Sequence, residues 1–189
     1  SDAHGEIQRG IENVEYAKHE NGACVRDQAG FSIKFTDFNT VREVIKPKEK
    51  IATITLSPDG KRLAGVGAGG SLYIWDIANN YAEKVAFKNN NPLTAVAFAP
   101  DNSRKIIVGD NTGSVKVITE DTNLIPRVLS GHTAHIEQIT FNNAGTFVAT
   151  TSRAGRVRLW YWNKISDNPI VLYDRDLGDW AWSAAFSPD

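Results

Sequence analysis

The sequence contains no methionine and a single cysteine, Cys24. One thiol excludes an intrachain disulfide, and it neither supports nor excludes secretion. No Asn-x-Ser/Thr acceptor occurs. No apolar run approaches the roughly 20 residues of a membrane span. The opening stretch SDAHGEIQRG has neither the basic head nor the apolar centre of a signal peptide. Neither sign of charge dominates, with 21 Lys+Arg against 22 Asp+Glu and a formal net charge of −1. That balance exerts no electrostatic pull on nucleic acid or an anionic membrane, so neither is expected as a partner. The compartment stays undetermined and leans to the cytoplasm. A primary translation product begins with Met, so the chain is expected to be processed, cut or a fragment.

What is present is an ordinary globular composition, 41% hydrophobic and 23% charged over 189 residues, enough for a sizeable core. It is also periodic. LSPDGKRLAGVGAGGSLYIWD (56–76), FAPDNSRKIIVGDNTGSVKVITE (98–120) and FNNAGTFVATTSRAGRVRLWYW (141–162) align. Their turns begin at Ser57, Ala99 and Asn142, and again at Ser187 in the closing WAWSAAFSPD. A second anchor, Gly70, Gly113 and Gly155, keeps the same step of about 43 residues. A fainter copy, VEYAKHENGACVRDQAGFSIKFTD (14–37), lies upstream, with Glu20-Asn21-Gly22 at the turn and Gly30 at the second anchor.

Each unit reads as short strands between turns. TAVAFAP and RKIIVGD are apolar enough for buried strands, and SVKVITE and RVRLWYW alternate at period two. Pro-Asp-Gly and Asn-Ala-Gly supply tight turns. A fourth strand precedes each following unit, at VREVI (41–45), EKVAF (83–87), PRVLS (126–130) and PIVLY (169–173), with another outer-strand candidate near EIQRG. Four strands in about 43 residues is the size of a propeller blade.

On these residues the chain resembles the WD-repeat β-propeller family across nearly its whole length. The Gly131-His132 pair, the Ser-Pro-Asp turns, Trp75-Asp76, and Trp160 at the matching place carry the likeness. The final NPIVLYDRDLGDWAWSAAFSPD also looks like the WD arrays appended to large bacterial signalling proteins. The resemblance implies an all-β fold of about four four-stranded antiparallel blades, at about 12–45, 51–87, 93–130 and 136–173. Residues 181–189 would hold the first strand of a fifth, with Ser183–Phe186 innermost. The sequence is then expected to be a fragment of a longer propeller, unless another chain or a second copy fills the gap. An open ring would expose sheet faces that invite self-association.

Chemistry-bearing residues are few. His132 and His135 have a His-x-x-His spacing, but on a strand such residues point to opposite faces, and no Cys or carboxylate cluster completes a ligand set. The resemblance places His132 in a buried hydrogen-bond chain with Thr150 or Ser152 and Trp160. Ala154 stands where the family has a turn Asp, so His132 needs another acceptor or a water. Asp59, Asp101 and Asp110 sit in turns and are expected to cap their own backbone. Cys24 lies in strand-like GACVRD with nothing beside it to activate a nucleophile. GVGAGGS (65–71) lacks the Lys-Ser/Thr ending of a phosphate loop and leads into a strand. KPKEK (46–50) is too short, and too free of aromatics, for a nucleic-acid patch. No catalytic set, cofactor or metal is expected.

The family mostly binds proteins or peptides on the face where inner strands begin. Carried over by alignment, those positions are Lys50 and Ala52, Pro92 and Thr94, His135 and Glu137, and Trp180 and Trp182. Ala68, Asn111 and Arg153 precede the missing turn Asp. Trp180 and Trp182 alternate along a strand and would project from one face, as a binding hot spot or as packing for a next blade. The expected partner surface is therefore Trp180, Trp182, Arg153, Glu137, His135 and Asn111, taking a hydrophobic or acidic peptide. Two alternatives stay open. The chain could be a regulatory segment of a larger signalling enzyme, or a small-ligand or enzymatic propeller using its central channel. The inner strands ATITL, TAVAF, EQITF and SAAF offer that channel little beyond Thr and Gln138.

Overall fold

A computed structural model describes residues 16–19, 22–36, 41–101, 104–122, 124–162 and 171–187. The alternating and apolar runs form sixteen strands among them. The upstream copy gives β1 (Tyr16–His19), β2 (Gly22–Arg26), β3 (Ile33–Thr36) and β4 (Val41–Ile45). The first strong copy gives β5 (Ile51–Leu56), β6 (Arg62–Gly67), β7 (Ser71–Asp76) and β8 (Ala82–Lys88). The next gives β9 (Leu93–Phe98), β10 (Lys105–Asp110), β11 (Val115–Thr119) and β12 (Arg127–Leu129). The last gives β13 (Ile136–Phe141), β14 (Phe147–Ser152), β15 (Arg156–Tyr161) and β16 (Val171–Asp176). Each quartet is one four-stranded antiparallel meander in chain order, which is the all-β, blade-like architecture the sequence implies. Among the described residues no helix is long and apolar enough to cross a membrane.

Side-chain parity explains the stacking. Residues of opposite parity on a strand face opposite sides, so the second and third sheets bury one face on the sheet before and the other on the sheet after. Cys24, Ile33 and Ile45 pack with Ile51, Leu63, Tyr73 and Trp75 between the first two sheets. Leu72, Ile74, Val96 and Ile106 fill the second seam. Ala97, Ile107, Ile136, Val148 and Trp160 fill the third. Trp75 and Trp160 occupy equivalent places and are almost fully buried.

The seams are tight enough that glycine is used as a spacer. A Cβ on Gly109 would lie 2.6 Å from both Cβ and Cγ2 of Ile136 in the next sheet. Gly109→Ala is therefore expected to cost about 1–3 kcal/mol by forcing the third and fourth sheets apart, read as a lowered urea midpoint.

The strand starts are held in a repeated way. Register shifts fall at Ile51/Thr53, Gly109/Asp110 and Ile136/Gln138. Beside them a backbone bond joins the turn after the second strand to the residue before the first. Ala68 N donates to Lys50 O (2.8 Å), Asn111 N to Pro92 O (3.1 Å) and Arg153 N to His135 O (2.9 Å). Neighbouring inner strands are bridged by Thr53 Oγ1 donating to Thr94 O (2.6 Å) and Thr94 Oγ1 donating to Ile136 O (2.7 Å).

Several expectations shift. The fourth strand of the last sheet, Val171–Asp176, runs on past Tyr173 to Asp176, while 169–170 lie outside the described residues. Ser183–Phe186 carries no strand ladder. In the other sheets the first strand pairs with its own second strand, and no described residue supplies that partner here. Ala184 N is held instead by the Gln138 side chain (2.7 Å), and Ala181 N by Ser152 O (3.3 Å). The EIQRG candidate and the Glu20-Asn21 turn lie outside the described residues.

Candidate protein-binding site

A buried polar chain ties the loop before β13 to the sheet that carries the site. His132 Nε2 lies 2.7 Å from Thr150 Oγ1, which also accepts the indole N–H of Trp160 at 3.1 Å. Thr150, not Ser152, is the strand member. His132 Nδ1 and Ser152 Oγ are buried without a hydrogen-bond partner, as expected with Ala154 in the turn. The third sheet has Asn89 and Asp110 at the equivalent places, and there Asn89 Nδ2 donates to Asp110 Oδ2 (3.1 Å). Burial, aided by Arg158, lowers the His132 pKa to about 4.

The sign follows from which state binds the proton. Between pH 6.5 and about 4 the unfolded chain protonates this imidazole while the folded chain does not. Stability therefore falls as pH drops through that window, with nothing lost above the unfolded pKa. At pH 5 the expected loss is about 2 kcal/mol. His132→Asn, which installs the third sheet's residue, is expected to flatten this part of the profile in urea unfolding at pH 7.5 and pH 5.

The two histidines lie in the loop before β13 rather than on a strand. His135 is half-buried with its Nε2 3.9 Å from Glu137 Oε2. Burial lowers its pKa, with the Glu137 carboxylate opposing, so the ring is neutral at pH 7. No group of three or more His, Cys, Asp or Glu is placed to hold a metal among the described residues.

Asp59 accepts Ser57 Oγ and Lys61 N, and Asp110 accepts Thr112 N and Ser114 N, so both cap their own turns. Asp101 also accepts the indole N–H of Trp162 across the seam at 2.7 Å. Cys24 is fully buried, and burial raises its thiol pKa to about 11, far from a reactive thiolate. The glycines of GVGAGGS make room for another group, since a Cβ on Gly67 or Gly69 would collide with the Glu49 carboxyl. Burial favours the neutral acid there, but hydrogen bonds from Ser71, Tyr73 and Gly69 prevail and hold its pKa below the usual value. A carboxylate over the loop repels phosphate.

The remaining candidates gather at the C-terminal end of the fourth sheet. Trp180 and Trp182 are 51% and 60% exposed, while Ala181 between them is 4% exposed. Their rings lie 5.2 Å apart, tilted by 55°. The Arg153 guanidinium stacks on Trp180, 5.3 Å from the ring centre, and its Nε pairs with Glu137. Trp180, Trp182, Arg153, Glu137 and His135 thus form one chain of contacts. Asn111 is not part of it: exposed on the third sheet's turn, it is tied by its N–H to Pro92.

Two residues went unnoticed in the sequence. Asp176 and Asp179 line an open cleft of about 450 Å³ with Arg153, Ala154, Gly178 and Trp180. Asp176 Oδ1 accepts Gly178 N (2.9 Å) and Asp179 Oδ1 accepts Trp180 N (2.7 Å). The signal available was DRDLGDW, a polar run with a glycine leading into the aromatic pair.

The WD domain, G-beta repeat family profile matches residues 40–76 and 125–161. Each match takes the outer strand of one sheet and the first three of the next, β4–β7 and β12–β15. The chain is 31% identical to telomerase protein component 1 of Mus musculus over 61% of this chain and 4% of that protein. It is 27% identical to an uncharacterized WD repeat-containing protein of Synechocystis sp. over 74% of this chain and 39% of that one. A transcriptional corepressor of Arabidopsis thaliana, LEUNIG_HOMOLOG, is 26% identical over 65% of this chain and 16% of that protein. The chain thus spans well under half the length of these relatives. WD-repeat proteins generally bind other proteins. Repeat matches at two places, WD-repeat relatives and four stacked four-stranded sheets thus together support a WD-repeat family for the chain.

Proposed function

We propose that the chain is a protein- or peptide-binding module, a scaffold or sensor, and part of a longer propeller with no catalytic activity of its own. Trp180 and Trp182 form its contact surface, shaped by Arg153, Glu137 and His135. The carrying observation is the pair of indoles left half in water in the segment that follows β16, while Ala181 between them is buried. Tryptophan is enriched in binding hot spots because it removes a large area from water at small entropic cost. The channel side supports the non-catalytic reading, since Thr53 and Thr94 spend their hydroxyls bridging inner strands. Asn111 is left as an outlying contact.

The test is affinity capture from the source cells with the wild-type chain and with W180A/W182A. Loss of a captured protein, with unfolding behaviour unchanged, supports the module. An identical captured set from both chains contradicts it.

A second reading is favoured by one observation. Val157 and Leu159 of β15 are only half-buried, whereas their equivalents Leu72, Ile74, Val115 and Val117 are buried under the following sheet. On this reading the face is covered by a further blade, and the indoles pack against that blade. Light scattering across concentrations tests whether a second copy covers it instead, because a concentration-independent dimer is then expected.

A further inference from the structure

The Trp180 cleft carries its own charge preference, and this inference rests on the proposed binding role of that surface. Arg153 is the cation that would draw an acidic peptide, but its guanidinium is already committed. It stacks on Trp180 and is neutralised by Glu137. The carboxylates of Asp176 and Asp179 are in the opposite condition. Each accepts one backbone N–H, and neither is paired with a cation among the described residues. Asp174, two residues earlier, is by contrast held by Arg156 and Arg158. His135 adds no charge at neutral pH. The cleft wall is therefore two exposed negative charges beside the Trp180 indole, which Trp182 flanks, with its one guanidinium compensated.

We infer that this surface selects a basic segment of a partner protein, seating a Lys or Arg side chain with its head at Asp176 and Asp179 and its apolar stem along Trp180 and Trp182. Long basic side chains are suited to this because they carry both parts, stem and head. The fold itself shows the geometry, since the Arg153 head already rests on one indole beside a carboxylate. This replaces the acidic peptide expected from Arg153 alone.

The experiment uses the full chain and three capped heptapeptides with one Leu/Gly framework and Lys, Gln or Glu at the variable positions. Binding is followed by tryptophan fluorescence. The Lys peptide is expected to bind about tenfold tighter than the Gln peptide, and the Glu peptide weakest, with the spread shrinking as salt is raised. D176N/D179N keeps both backbone-accepting oxygens. It is expected to bring the Lys peptide to the level of the Gln peptide and leave the Gln peptide unchanged. Equal affinity for Lys and Glu peptides, or an undiminished Lys preference in D176N/D179N, overturns the charge preference. So does the absence of binding by all three. The underlying binding role fails separately, only if W180A/W182A captures the same partner as the wild-type chain.

Discussion

Trp160→Ala is expected to lower the stability of the chain by about 3–5 kcal/mol, the range for a buried large aromatic cut to a methyl. Trp160 is 1% exposed and fills the seam between the third and fourth sheets with Ile107, Ile136 and Val148. Its removal leaves a cavity and strips one of the two bonds to the Thr150 hydroxyl. Stacked repeats share stability through their seams, so the loss is expected to reach the neighbouring sheet as well. With a urea slope of about 2 kcal/mol/M, the midpoint falls by roughly 2 M. Trp160→Phe separates the contributions. It keeps most of the volume and loses the N–H, and is expected to cost about 1–2 kcal/mol.

Trp180→Ala and Trp182→Ala are expected to do the reverse, weakening partner binding while leaving the unfolding free energy within about 0.5 kcal/mol of wild type. Half-exposed rings contribute little to the folded state but much to an interface that buries them. Each substitution is expected to cost about 2 kcal/mol of binding, roughly thirtyfold in Kd. The rings touch at 5.2 Å, so the double variant departs from the sum of the singles. Titration calorimetry on the captured partner, with urea unfolding of the same samples, checks both halves of the prediction. The contrast between Trp160 and Trp180 distinguishes a seam residue from a surface residue of the same type.

Much of the fold was legible because the repeat is written twice, once in turn chemistry and once in strand patterning. The Pro-Asp-Gly and Asn-Ala-Gly turns require a left-handed residue, and Gly60 (φ 67°) and Gly145 (φ 66°) supply it. Strand limits were harder. The last outer strand runs on to Asp176, because an edge strand is set by its one neighbour, here the pairing of β15 with Tyr173–Asp176, more than by its own apolar run. Ser183–Phe186 has the pattern of an inner strand, but pattern alone forms no ladder without a partner.

The site was legible in part. The Trp pair follows from alternation, and the His132–Thr150–Trp160 chain from the family resemblance. What the sequence hid was compensation between charges. Arg153 reads as a free cation until Glu137 and Trp180 are seen to occupy it. Asp176 and Asp179 read as loop solvation until the turn around Gly178 aims both into one cleft. For Asp101, only the stacking of the sheets brings the Trp162 indole to its carboxylate.

The most direct measurement is fluorine NMR of the chain with all five tryptophans replaced by 5-fluorotryptophan, free and with the captured partner. The resonances of Trp180 and Trp182 are expected to be solvent-sensitive in the free chain and to shift and become protected on binding. Those of the buried Trp75, Trp160 and Trp162 stay unchanged. Protection of Trp180 and Trp182 in the free chain, or their indifference to a partner that does bind, would contradict the central claim that these two residues are the contact surface.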